Sequence, residues 1–141
     1  MKFLLITLFL GFTALLCGQT LDVRISNIRN VKGQICVALF ADDAGFEAER
    51  TVWEAKYSKK NIVNGELRIQ ISVPPGVYGL SVLDDENGSG RMEYNFLGVP
   101  REGFGFSDYI QSGLKRPLIR DFDFNINKNE LKRITVRMKY F

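Results

Sequence analysis

The residues best equipped for chemistry fall in one short run, Asp84-Asp85-Glu86-Asn87-Gly88-Ser89-Gly90-Arg91-Met92-Glu93. With Asp85 as first ligand, oxygen-bearing side chains recur at alternate positions, at Asn87, Ser89 and Glu93. Gly90 stands where an EF-hand-like loop turns sharply, and Arg91 stands where that loop offers a backbone carbonyl. Alternate oxygens converge when the chain curls around an ion. Calcium, which takes six to eight oxygens, is the cation such a loop suits. The expected ligand set is Asp84, Asp85, Asn87, Ser89, Arg91 and Glu93. The last position of the motif is Phe96 instead of a bidentate Glu, so this is not an EF-hand, and the missing carboxylate is expected from Asp84, Glu102 or Asp108. Few anionic ligands imply weak binding, about 10⁻⁴–10⁻³ M. The competing reading is a solvated turn without an ion, because Asp, Asn and Gly are also the ordinary turn residues. The charge of Arg91 counts on that side.

The run continues through Asn95-Phe96-Leu97-Gly98-Val99-Pro100-Arg101-Glu102-Gly103-Phe104-Gly105-Phe106-Ser107-Asp108-Tyr109. Glycines between phenylalanines let the backbone turn while the rings pack. Two readings follow. The segment folds back and caps one end of the domain, or Phe96, Glu102, Phe104, Phe106 and Tyr109 form an aromatic rim for a ligand such as a sugar.

Other chemistries are restricted by composition. The chain has no histidine, so a paired-carboxylate scheme such as Asp85 with Glu102 is the acid–base route left most readily open. Of the two cysteines, Cys17 belongs to the leader and Cys36 sits in an apolar strand, where a buried, inert thiol is expected. A net charge of +3, which includes Lys2 of the leader, is too mild to imply nucleic acid or an acidic membrane as partner.

The elements that must position these residues form one domain. Lys2 followed by the apolar run 3–16 reads as a signal peptide over residues 1–18, with the mature domain at 19–141. A retained N-terminal anchor is the alternative. Leu16, not a small residue, precedes Cys17, which argues against lipid attachment. No second apolar run follows, so no transmembrane segment is expected after cleavage. Apolar–polar alternation predicts strands over 21–26, 66–73 and 121–126, and a more continuously apolar central strand over 34–40. Asn64-Gly65 and Pro74-Pro75-Gly76 mark turns. A helical turn near 46–50, a strand over 77–83 and a closing strand over 131–141 complete the set. About seven strands at regular spacing argue for an all-β, antiparallel β-sandwich, immunoglobulin- or transthyretin-like. Residues 84–107 then form one long connection at an end of it.

Val37-Ala38-Leu39-Phe40, Pro74-Pro75-Gly76-Val77-Tyr78, Asp84-Asp85-Glu86-Asn87-Gly88-Ser89-Gly90 and the segment 95–107 together resemble a family of small secreted bacterial proteins, domain-of-unknown-function family 2141. Residues 115–122 depart from the Gly-Pro-Pro-type segment of that family. The resemblance implies a β-sandwich and export, and carries no established activity. The expectation is an exported, non-catalytic module that binds a ligand or envelope partner through the 84–109 end. A structural or assembly protein that pairs through an edge strand, and a carboxylate-dependent hydrolase, are the alternatives.

Overall fold

The computed structural model describes residues 18–141, so the leader over residues 1–16 and Cys17 lie outside the described residues. The chain runs β1 (Thr20–Ser26), β2 (Gln34–Phe40), α1 (Asp43–Glu47), β3 (Trp53–Ser58), β4 (Leu67–Ser72), β5 (Gly76–Asp85), β6 (Gly103–Phe106), α2 (Ile119–Phe122), β7 (Asp123–Ile126) and β8 (Leu131–Arg137). No helix among the described residues is long and apolar enough to cross a membrane.

Two sheets face each other. The smaller has the order β4-β1-β8, and the larger β3-β2-β5-β6, with β7 pairing β5 as well. β6 and β7 share one edge of β5 in succession: β7 pairs Gly76 to Gly79, and β6 pairs Ser81 to Asp84. All pairs are antiparallel except β1 with β8, which is parallel. Period-2 alternation places Leu21, Val23 and Ile25 of β1, Ile69 and Ile71 of β4, and Ile134 and Val136 of β8 against Ile35, Val37, Leu39, Leu80, Val82, Phe124 and Ile126 of the larger sheet. Each such side chain contributes about 1.5–3 kcal/mol when fully buried, and this layer is the main core.

A second apolar cluster covers the outer face of the larger sheet. It holds Phe40, Phe46, Phe104, Phe106, Ile119 and Phe122. The two short helices exist to supply it. Asp42 caps α1 by accepting from Gly45 N at 2.7 Å, which turns Phe46 onto Phe40, with ring centroids 5.1 Å apart. Asp43 Oδ1 accepts from Ile119 N at 2.7 Å and ties α1 to α2. Gly79 is the floor beneath them, because a Cβ there would lie 2.5 Å from the Phe122 ring.

Four boundaries differ from the sequence reading. The helical turn lies at Asp43–Glu47, earlier than 46–50, because the Asp42 cap sets its start. Phe122 belongs to α2, and its ring packs at 4.8 Å from Phe106 on the outer face. β8 ends at Arg137, and Lys139 then bridges to Phe104. Most consequentially, β5 runs through Asp84 and Asp85, and β6 interrupts the expected long connection. The acids 84 and 85 are therefore strand residues, pointing to opposite faces.

Candidate functional site

Asp84 points inward and Asp85 outward at the end of β5, and each is fixed by a different partner. Asp84 is fully buried, with Oδ1 2.5 Å from the Nζ of an equally buried Lys59. Its Oδ2 accepts from the Tyr140 hydroxyl at 2.6 Å. Lys59 also donates to Asn30 Oδ1 at 3.1 Å. Burial, and then the bond to Asp84, push the Tyr140 phenol well above its ordinary range. Both Asp84 oxygens are thus engaged inside the sandwich. Next along the chain, Glu86 accepts from Arg29 Nε at 2.5 Å, and Arg29 lies over the Tyr140 ring at 4.5 Å. Arg29 holds the Glu86 carboxyl below its usual range. The β1–β2 turn presses on the same backbone: Gly33 has φ 73, and a Cβ there would lie 2.1 Å from Asp85 O.

Asp85 is enclosed beneath the loop that follows it. Its Oδ2 accepts from Gln34 Nε2 at 2.6 Å and from Gly90 N at 2.9 Å, with Cys36 Sγ at 3.8 Å. Burial opposes its charge, but Gln34 and the amides of Gly90, Ser89 and Gly88 outweigh burial and keep this carboxyl below the usual range. Gly88 and Gly90 take φ 75 and 77, the left-handed turns that bring those amides round. The register Asp84 with Gly103 sets Glu102 across from Asp85 on the outer face. Glu102 is only 5% exposed. Burial first, and the Asp85 charge second, push its carboxyl above the usual range. Asp85 Oδ1 and both Glu102 oxygens are buried without a hydrogen-bond partner.

Beyond Asp85 the loop turns on its own side chains. Asn87 Oδ1 accepts from Ser89 N at 3.0 Å, its amide donates to Glu93 Oε2 at 2.9 Å, and Ser89 Oγ donates to Arg91 O at 3.0 Å. Of the six expected metal ligands, the fold thus gathers Asp85, Asn87, Ser89 and the Arg91 carbonyl along one curl, leaves Glu93 half-buried at its margin on the Asn87 amide, and turns Asp84 away. Asp108, the other carboxylate considered, accepts from Thr135 N at 2.9 Å beside β8. Among the described residues no three His, Cys, Asp or Glu side chains group as a metal cluster. An ion here would rest on two carboxylates and on neutral oxygens.

The expected aromatic rim divides. Phe104 and Phe106 are buried in the outer cluster, and Tyr109 packs on Phe106 at 6.4 Å. Phe96 is 95% exposed at the tip of a turn. That turn is tightly bonded: Asn95 Oδ1 accepts from Leu97 N and Val99 N, and Asn95 N donates to Val99 O at 2.9 Å.

Between this loop and the segment carrying Arg116 lies a groove on the outer face of the larger sheet. The register forms its floor, with the small Cys36 and Ala38 of β2 beside Leu83 and Ser81 of β5. The groove has a volume of about 600 Å³ and continues into a recess of about 180 Å³ lined by Met92, Tyr94, Phe104 and Phe106. Lys56, Arg91 and Arg116 line it together with Glu49 and Glu54. Arg116 stacks over the Phe46 ring at 4.1 Å and donates to Phe46 O at 2.5 Å. Cys36, expected to be buried, is half-buried on this floor, because β2 turns it away from the core. Burial, and then Asp85, push its thiol up to about 11.

Sequence reasoning missed Lys59, Tyr140, Gln34, Arg29 and the groove residues Lys56, Met92 and Arg116. Tertiary packing of strands and loops brings them to the site, and no local spacing marks them. Glu102 carried a signal, as an acid isolated among glycines and aromatics.

A family model described as an uncharacterized protein conserved in bacteria, DUF2141, matches residues 23–134. The chain belongs to that family. Comparison with curated proteins and with solved structures gives no match.

Proposed function

We propose that this chain is an exported, non-catalytic binding module whose ligand lies in the groove over Cys36, Ala38, Ser81 and Leu83. The groove itself is the observation that carries the reading. Its volume falls within the range of small-molecule sites, and a largely apolar floor ringed by placed charges suits such a site. Three cations against two anions on the walls favour an elongated apolar ligand with an acidic group. The apolar leader supports export. The paired carboxylates Asp85 and Glu102, on which the hydrolase alternative rested, line neither the groove nor its recess.

Titration with anilinonaphthalene sulfonate, followed by displacement with alkyl and aryl carboxylates, tests this. Saturable fluorescence that Ala38→Trp abolishes in a folded variant, and that Arg116→Ala weakens, is the expected result. Binding unaffected by Ala38→Trp would place the ligand elsewhere and end the reading.

A second reading rests on the tip of the loop. A hydrogen-bonded turn holds Phe96 and Leu97 in solvent, 95% and 70% exposed. Large apolar side chains on a pre-formed turn suit a protein contact, as an assembly role in the envelope would require. Self-association, or retention of an envelope partner, that is lost in Phe96→Ser with Leu97→Ser would favour it over the groove.

A further inference from the structure

We propose that Asp85, Glu102 and the 87–91 curl form a calcium site in which Glu102, from outside the loop, supplies the bidentate carboxylate. Two buried carboxylates oppose each other across β5 and the start of β6, and like charges at such positions repel. Three of their four oxygens are buried without a well-formed hydrogen bond, and only the backbone amides of Glu86 and Asn87 beside Glu102, and of Gly88 and Ser89 beside Asp85, offset their charge. Unpaired buried carboxylate is costly enough that it persists only when something compensates it. One shared proton would join Glu102 to Asp85 Oδ1 and leave the third oxygen unpaired. A divalent cation engages all three at once and cancels both charges.

The orientation of Asp85 fits this role. Gln34 and Gly90 hold Oδ2, so Oδ1 is the oxygen left for an ion. Asn87 Oδ1, Ser89 Oγ and the Arg91 carbonyl follow at alternate positions on the same curl. With Asp85 Oδ1 and two oxygens from Glu102, they make a set of six hard oxygens, the lower limit of calcium coordination, which water can extend. Magnesium demands smaller, near-ideal octahedral geometry and dehydrates reluctantly, so a bidentate carboxylate facing a curl of neutral oxygens favours calcium. The ion would brace the loop segment that carries Met92 and Tyr94 into the groove wall, yet the site stands whatever the groove binds.

The test is calorimetric titration of the EDTA-stripped protein with calcium chloride and, separately, with magnesium chloride, alongside thermal melts. The expected result is one calcium per chain with a Kd on the order of 10⁻⁴ M, and a melting temperature that rises with calcium by mass action. Magnesium should bind at least tenfold more weakly. Glu102→Gln keeps the side-chain shape and removes one charge. It should lose the calcium response while melting in EDTA no lower than the unmodified protein, since a repulsion has been removed. Ser89→Ala, a milder change at the surface, should weaken binding severalfold without unfolding. Absence of any calcium effect at 10 mM, about 100 times the expected Kd, would overturn the proposal and leave the shared proton. A response undiminished in Glu102→Gln would overturn it too, because the ion would then sit elsewhere.

Discussion

Asp84→Asn offers the sharpest check on how the loop is anchored. The substitution keeps the shape of the side chain and removes its charge. Lys59 Nζ then remains fully enclosed, facing the neutral acceptor Asn30 Oδ1 at 3.1 Å and an amide where a carboxylate stood at 2.5 Å. Breaking a buried pair from one side costs about 3–5 kcal/mol, because the remaining charge is stranded. For a domain of this size that corresponds to a fall in melting temperature on the order of 10–20 °C. Urea denaturation followed by the fluorescence of Trp53 should show a lower midpoint at unchanged slope. Adding Lys59→Met should recover most of the loss, since it removes the stranded charge and leaves an uncharged pair of similar volume. Arg24→Ala serves as the control. Its partner Glu66 stands in solvent, and the midpoint should stay in place. A loss below about 1 kcal/mol for Asp84→Asn, or a double variant as unstable as the single, would refute the view that this buried pair anchors the loop.

Other consequences are equally direct. Gly79→Ala brings a methyl to 2.5 Å from the Phe122 ring and 2.9 Å from Ile119, so chemical denaturation should show a loss of about 1–3 kcal/mol, with the outer aromatic cluster loosened first. Cys36 should resist alkylation. With its thiol at about 11, iodoacetamide at pH 8 in EDTA should react about 100-fold more slowly than with an unfolded thiol, and the rate should climb towards pH 11. The sign for stability follows from the raised value. The contribution of the neutral thiol is complete below about 8.5, its unfolded value, and is lost as pH rises through about 11.

The sequence by itself determined the β-sandwich, the turns at 64–65 and 74–76, and the loop at 85–93 as the chemically distinctive place. These are local properties. A period of two residues fixes which side of a strand is apolar, and Asn-Gly or Pro-Pro-Gly can do little but turn. Tertiary structure decided which acids could act together. Asp84 and Asp85 look equivalent as neighbours in the chain, yet strand alternation sends one to Lys59 and Tyr140 inside the sandwich and the other to Gln34 and Glu102 on its outer face. Tyr140 lies 56 positions from Asp84, and no spacing in the sequence expresses such a contact. The same holds for Phe104 and Phe106. Their composition suggested a rim; pairing with β5 and the packing of α1 and α2 buried most of each ring, so that they line the recess and leave the small residues Cys36, Ala38 and Ser81 on the floor of the groove. Register and helix packing are sums over many distant contacts, so the groove and the buried partners of the loop could be recognised only once the sheets had been assembled.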